Sequence, residues 1–299
     1  MDKGDGIFYN VASGSGLGLE IARKLKLQLI VRQIECHDLS ADSVDAAIVK
    51  IKQALPKLTA LIVIGGDGTL NVAMTAMIQA GADVPVGLIP AGTINNFATR
   101  YHIPADFDEA IRLIVHDHHL RRVGIATCNE TKAIVSSLTF GNLADISNGV
   151  RQEEKRRFGK IVYLAKAIQH IGKDKSFLIH YRLSDGTDRV FKTWFALITT
   201  TKSIGGYNYN EETPGKMQLS LLHNIGLGQV VPYVFFALTG KLRESKAISE
   251  FEITQALIGA RKGERVMTRI DGDEAQALPI KVDFHPKRVC LMVPLAKKQ

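Results

Sequence analysis

Cysteine is scarce in this 299-residue chain, tryptophan occurs once, and no apolar run is long. Cys36, Cys128 and Cys290 are odd in number and far apart, which excludes a disulfide framework and a Cys-x-x-Cys metal site. Such sparse cysteine use fits a reducing cytoplasm. The longest apolar run, VVPYVFFAL at 230–238, falls well short of the roughly 20 residues that span a bilayer. The opening MDKGDGIFYN holds no apolar signal core, so a cytoplasmic, non-secreted protein is expected. No GxxxxGK[ST] occurs, which argues against a P-loop ATPase. Gly14, Gly16 and Gly18 give GxGxG rather than GxGxxG, which argues against a dinucleotide fingerprint. Zinc-finger spacing and aromatic-basic RNA motifs are also missing, so nucleic acid is not an expected partner.

What is present is ordinary globular material, 45% hydrophobic and 23% charged, enough to bury a sizeable core in two domains. The excess of Lys and Arg over acids, +8 formally, favours an anionic partner such as a nucleotide or an acidic membrane surface. Basic clusters such as RQEEKRRFGK (151–160) are mixed with acids and read first as a solvated helix face.

Strand-like and helix-like segments alternate up to about residue 126. IFYNV (7–11) reads as a strand, and Leu17, Ile21 and Leu25 are spaced as on a helix. LIVRQIEC (29–36) reads as the next strand. A helix over 43–55 follows, ended by Pro56. ALIVI (60–64) and VPVGLIP (84–90) are apolar on both faces, as parallel strands covered by helices are. Between them Leu70, Ala73, Met74, Met77 and Ile78 form one helical stripe. The βαβα order predicts an open parallel sheet whose ligands sit beyond the strands' carboxyl ends. After 127 the segments AIVSSLTF, SFLIHYRL, RVFKTWFALITT, KAISEFEIT, ERVMTRID and RVCLMVP read as strands, with helices near 153–171 and 228–240. The expected domains are 1–126, α/β, and 127–299, largely antiparallel β, with a cleft between them and the extreme C-terminus returning to the first.

Two turns carry the chemistry. GGDGT (65–69) and PAGTINN (90–96) each follow a buried strand and open a helix, presenting backbone N–H groups where a phosphate would sit. Taken alone, GGDGT also reads as a helix cap through Thr69. Asp271-Gly272 taken alone reads as a type I′ hairpin turn. HDHH (116–119) lacks a partner cluster for a metal and reads as a solvated helix end.

Together, Asn10 to Gly14, GGDGTLN (65–71), PAGTINNFA (90–98) and IDGDEA (270–275) resemble, in order and spacing, the motifs of the diacylglycerol kinase catalytic family. The soluble bacterial lipid kinases are the most similar type, and the likeness covers nearly the whole chain. It implies an N-terminal three-layer α/β domain like those of phosphofructokinase and NAD kinase, and a C-terminal antiparallel β-sandwich. It implies transfer of the γ-phosphoryl group of ATP, with Mg²⁺, to a lipid hydroxyl, foremost diacylglycerol to give phosphatidic acid. By the same resemblance Gly65, Gly66, Gly68 and Thr69 cradle phosphates, and Asn10, Ser13, Asn71, Gly92, Thr93 and Asn95 complete the nucleotide pocket. Asp67 is the Mg²⁺ contact and Asp271 the general base, with those two roles open to exchange. The basic surface then meets an anionic membrane peripherally.

Four positions depart from the family pattern. Val72 stands where Glu is usual, Asn96 where Asp is, Thr99 where Arg is, and Asp273 where Glu is. PGKMQLSLLHN (214–224) lacks the Asp-Gly pair that holds a structural Mg²⁺ in bacterial relatives, so no such metal is expected there. Two other readings stand beside the lipid kinase. An NAD kinase shares GGDGT, and a catalytically weak nucleotide- or membrane-binding protein fits the substituted acids.

Overall fold

The computed structural model describes residues 3–10, 17–142, 176–200, 203–204, 207–208, 215–223 and 248–295. The expected helices near 153–171 and 228–240 lie outside these residues. The chain divides into two compact units, Met1–Ser136 with His285–Gln299, and Ser137–Phe284.

The first unit runs β1 (Gly4–Tyr9), α1 (Leu17–Val31), β2 (Cys36–Asp38), α2 (Val44–Ala54), β3 (Leu58–Gly65), α3 (Asp67–Gln79), β4 (Val86–Pro90), α4 (Asn96–Arg100) and α5 (Phe107–Arg112). A π-helical turn, Leu113–Asp117, then leads into β5 (His118–Cys128) and β6 (Lys132–Ile134). The sheet order is β2-β1-β3-β4, all parallel, and the C-terminal strand Ile280–Pro294 extends it by pairing in parallel with β4 at Leu291 and Val86. β3 shows why helices cover both faces. Its residues alternate, Leu61 and Val63 packing with α2 and α3, Ile62 and Ile64 with α1 and α5. That is the three-layer α/β arrangement expected of strands apolar on both sides.

Three local expectations need correction. LIVRQIEC is not a strand throughout, because α1 continues to Val31 and the strand is only Cys36–Asp38. Leu29 falls four residues after Leu25, which falls four after Ile21, and all three are buried on one helical face. α3 is wider than the predicted stripe: every residue from Leu70 to Met77 is buried, since α2, β3 and β6 all pack against it. HDHH is not one helix end, for His116 and Asp117 close the π-helical turn while His118 and His119 open β5.

The second unit contains β7 (Ser137–Gly141), β8 (Phe177–Leu183), β9 (Asp188–Thr193), β10 (Phe195–Thr199), β11 (Ser203–Ile204), β12 (Tyr207–Asn208), β13 (Met217–Leu222), β14 (Ile248–Ile253), β15 (Gln255–Ala260), β16 (Met267–Ile270) and β17 (Asp273–Ala277). The first residues of the last strand, β18 (Ile280–Pro294), pair with β15, and β15 pairs with β8 and β8 with β9, all antiparallel. The second sheet is β14-β13-β10-β7-β16-β17, also antiparallel. Their facing aromatics make a sandwich: Phe140 stacks on Tyr181 at 6.5 Å, and Phe191 tilts against Phe251 at 5.9 Å. RVFKTWFALITT, one strand by pattern, is split at buried Trp194 into β9 and β10, which join different sheets. Among the described residues no helix is long and apolar enough to cross a membrane.

Candidate active site

Parallel pairing of β1, β3 and β4 brings Asn10 and the segments 65–69 and 91–95 to one end of the sheet, the carboxyl end. β3 and β4 are neighbours, in register at Gly65 and Pro90, so the two glycine turns leave the sheet side by side. Their contact is backbone on backbone. A Cβ on Gly92 would lie 2.5 Å from Gly66 Cα and 3.0 Å from Gly66 N, and one on Gly65 would run into the Thr69 side chain. These glycines therefore serve the packing of one loop on the other.

The turn after β4 is closed by Asn95, which sits in the left-handed region at φ 55°. Its Oδ1 accepts from Gly92 N at 3.0 Å and its Nδ2 donates to Gly92 O at 2.8 Å. Thr93 is exposed at the tip. At the turn after β3, α3 begins at Asp67 with Gly66 as its N-cap and no side-chain cap bond. The first amides of a helix have no intrahelical acceptor, so this end offers donors and the positive pole of the dipole to an anion.

Asp67 ties the two turns together. Its Oδ2 accepts from Asn96 N at 2.9 Å and its Oδ1 from Phe97 N at 3.0 Å, so it caps α4 from outside that helix. Burial pushes the Asp67 carboxyl above its ordinary range, while the backbone amides of Phe97 and Asn96 and the Asn96 side chain pull it back in part. Asn96 is buried beside it, and among the described residues its Oδ1 finds no hydrogen-bond partner. The Asp usual at that position would set a second buried carboxylate next to Asp67; Asn avoids that repulsion.

Mg²⁺ is implied by the resemblance, and the donors can be judged against it. Each Asp67 oxygen carries one backbone bond to α4 and keeps lone-pair capacity, as ligating carboxylates held by outer hydrogen bonds do. Among the described residues no group of three or more His, Cys, Asp or Glu could hold a metal. A carboxylate so held has the chemistry for an ion that needs one protein carboxylate and takes its other ligands from elsewhere, a habit of Mg²⁺.

The other expected site residues are dispersed. Ser13 lies outside the described residues. Asn71 is buried, with Nδ2 donating to Ala133 O at 2.6 Å and Oδ1 accepting from Thr75 Oγ1 at 3.3 Å, and Thr75 Oγ1 in turn accepts from Ala133 N at 3.1 Å. Val72 is buried in the apolar cluster around α3. Asp271 belongs to the second unit, where it and Gly272 have φ 52° and 96° in the two-residue turn joining β16 and β17. Its Oδ1 accepts from Ser137 N at 2.9 Å and its own N donates to Ser137 O at 2.8 Å. Sequence reasoning missed the amides of Asn96 and Phe97 as partners of Asp67, because no pattern marks a backbone donor 30 residues away. It also missed Ala133, which only folding brings to Asn71.

Residues 6–128 match the Diacylglycerol kinase catalytic domain family. Diacylglycerol kinases of Staphylococcus saprophyticus, S. carnosus and S. epidermidis are each 26% identical, over 69%, 56% and 69% of this chain and 67%, 55% and 65% of theirs. The matched stretch thus spans between about half and two thirds of those relatives. A diacylglycerol kinase crystal structure from Bacillus anthracis superposes over 98% of both chains with a TM-score of 0.73 at 16% identity, and an NAD kinase from Archaeoglobus fulgidus, in complex with ATP, reaches 0.50 at 9% over 98% of this chain and 94% of its own. The fold is therefore that of the diacylglycerol kinase and NAD kinase class, and the catalytic-domain family is one of lipid kinases.

Proposed function

We propose that this protein is an ATP-dependent lipid kinase, which transfers the γ-phosphoryl group of ATP to a lipid hydroxyl, with diacylglycerol the first candidate acceptor and phosphatidic acid the product. The observation that carries this reading is the pair of strand-end turns packed at Gly66 and Gly92, beside an α3 N-terminus that has no side-chain cap. Phosphoryl transfer is mostly positioning and charge stabilisation, so fixed amides at phosphate oxygens supply much of what the reaction needs. On this reading the first turn of α3, Gly65 to Thr69, receives phosphate, and Gly92, Thr93, Asn95, Asn10 and Ser13 complete the nucleotide pocket. Asn71 acts from behind, holding α3 against β6. Mg²⁺, when bound, neutralises phosphate charge, and Asp67 is the carboxylate that would hold it. Asp271 is the base that takes the proton of the lipid hydroxyl as its oxygen attacks. The enzyme would work in the cytoplasm, on lipid presented by an anionic membrane surface.

The test is phosphotransfer from labelled ATP with Mg²⁺ to diacylglycerol, sphingosine and other lipid alcohols in mixed micelles, with NAD as a separate acceptor. Labelled lipid that disappears in Asp67→Ala and Asp271→Ala is the expected result. Labelled NAD without labelled lipid, or nucleotide binding with no product from any acceptor, would overturn the proposal.

A further inference from the structure

α1 is apolar on two sides. Ile21, Ala22, Leu25 and Leu29 are buried against the sheet. On the opposite side Leu19, Leu27, Ile30 and Val31 are 43%, 65%, 54% and 81% exposed. At 100° per residue, Leu19, Glu20, Arg23, Leu27, Ile30 and Val31 fall on one outward half of the helix, Glu20 being the acid among them. Exposed large apolar side chains clustered on one face of a helix mark an interaction surface.

Charge decides what covers it. Arg23, Lys24 and Lys26 lie on α1 and Arg32 directly follows it, against one acid, Glu20. Lys24 pairs with Asp108 and Arg32 with His116, while Arg23 and Lys26 are exposed among the apolar side chains. A second copy of this face would set these cations against their own kind. An anionic bilayer accepts both components, apolar side chains at the acyl boundary and cations at the headgroups.

We infer that the outward face of α1 is the membrane-docking surface of this protein, with Leu27, Ile30 and Val31 entering the interface and Arg23 and Lys26 contacting anionic headgroups. The inference rests on the lipid-kinase reading for its purpose, but its measurement does not require turnover. Leu27, Ile30 and Val31 lie in the last turns of α1, which leads into β2 at the amino end of β1, so docking there leaves the glycine turns at the opposite end of the sheet uncovered.

The test is vesicle co-sedimentation without nucleotide, comparing phosphatidylcholine vesicles with vesicles containing phosphatidylglycerol. The native chain should bind the anionic vesicles and lose binding at high salt. Arg23→Gln with Lys26→Gln should weaken binding roughly 25-fold, at about five-fold per cation. Leu27→Ser, Ile30→Ser and Val31→Ser together should abolish it, with thermal unfolding unchanged because none of the three is buried. Phosphotransfer to a water-soluble short-chain diacylglycerol should persist in both variants; no turnover in any chain, with vesicle binding still α1-dependent, would sink the kinase reading and leave the docking face standing. Unchanged vesicle binding in both variants overturns the inference, as does a native dimer that the triple substitution dissociates while vesicle binding survives.

Discussion

Gly92→Ala is the sharpest perturbation of the proposed nucleotide site, because it adds one methyl group at the point where the two turns touch. The new Cβ would stand 2.5 Å from Gly66 Cα, 2.7 Å from Asn95 Oδ1 and 3.0 Å from Gly66 N. Ordinary carbon contacts lie near 3.5–4.0 Å, and two of the three neighbours are backbone that cannot rotate away. The turns must part by roughly 1 Å, and the Asn95 bonds to Gly92 must stretch with them. Overpacking of this kind costs about 1–3 kcal/mol, which for a protein of this size lowers Tm by roughly 2–4 °C per kcal/mol. A displacement of about 1 Å at a positioning site can cost on the order of 10²-fold in rate. The assay is kcat/KM for lipid phosphorylation beside a thermal melt, with Gly81→Ala as comparison. Gly81 has a left-handed φ, +62°, which Gly92 does not, and nothing lies within 4 Å of its added Cβ. It should lose about 1 kcal/mol to backbone strain and no activity. If Gly92→Ala melts within about 1 °C of the native chain and keeps kcat/KM within about two-fold, the contact between the turns is not what positions the nucleotide.

Asn71→Ala should lower the unfolding free energy by about 1–3 kcal/mol in urea titration, since Ala133 O would be left buried without its 2.6 Å donor. Asp271→Asn keeps a left-handed-tolerant residue and an Oδ1 for Ser137 N, so the melt should not move. Phosphotransfer should fall by about 10²–10⁴-fold if that carboxylate is the base, and unchanged turnover would leave it as a turn residue alone. Asp67→Asn separates charge from shape. The native carboxyl is raised by burial, so its contribution to stability is full below the ordinary carboxylate range and is lost as pH rises through its folded value. Asn has no such loss, so the deficit of the variant in urea midpoints should shrink from acid to neutral pH. A deficit that widens would contradict the burial argument.

Much of the fold could be read because each layer writes its own period. β3 and β4 are apolar without alternation, α2 repeats at three and four residues, and Ser43 caps it with Oγ accepting from Ala46 N at 3.2 Å. The errors fall where two periods overlap or where none exists. Leu29, Ile30 and Val31 look like the start of a strand because three branched or apolar residues stand in a row, yet only Leu29 is buried, and helical spacing from Leu25 explains it. β17, sequence DEAQA, has no apolar signal and exists as the return arm of the hairpin begun by Asp271-Gly272. Trp194 splits one apolar run between two sheets, and no window of sequence contains the information that its neighbours face different partners.

The glycine turns could be recognised for a related reason, but only in part. A buried strand, a glycine and a helix start are local, and that much is written within ten residues. The purpose of the individual residues is not local. Gly65, Gly66 and Gly92 suggest backbone open to a phosphate, but the atoms that forbid a side chain there belong to Thr69 and to the opposite turn. Asp67 suggests a metal ligand, but its carboxylate first satisfies two amides of α4, a helix of five residues whose N-cap, Asn95, makes no side-chain cap bond to it. A structural tie and a cation contact are compatible in one carboxylate only if the tie fixes its direction and leaves lone pairs over, which a pair of single backbone bonds does. The two motifs that sequence presents 25 residues apart are thus one physical unit, and Asp67 is the side chain that makes them so.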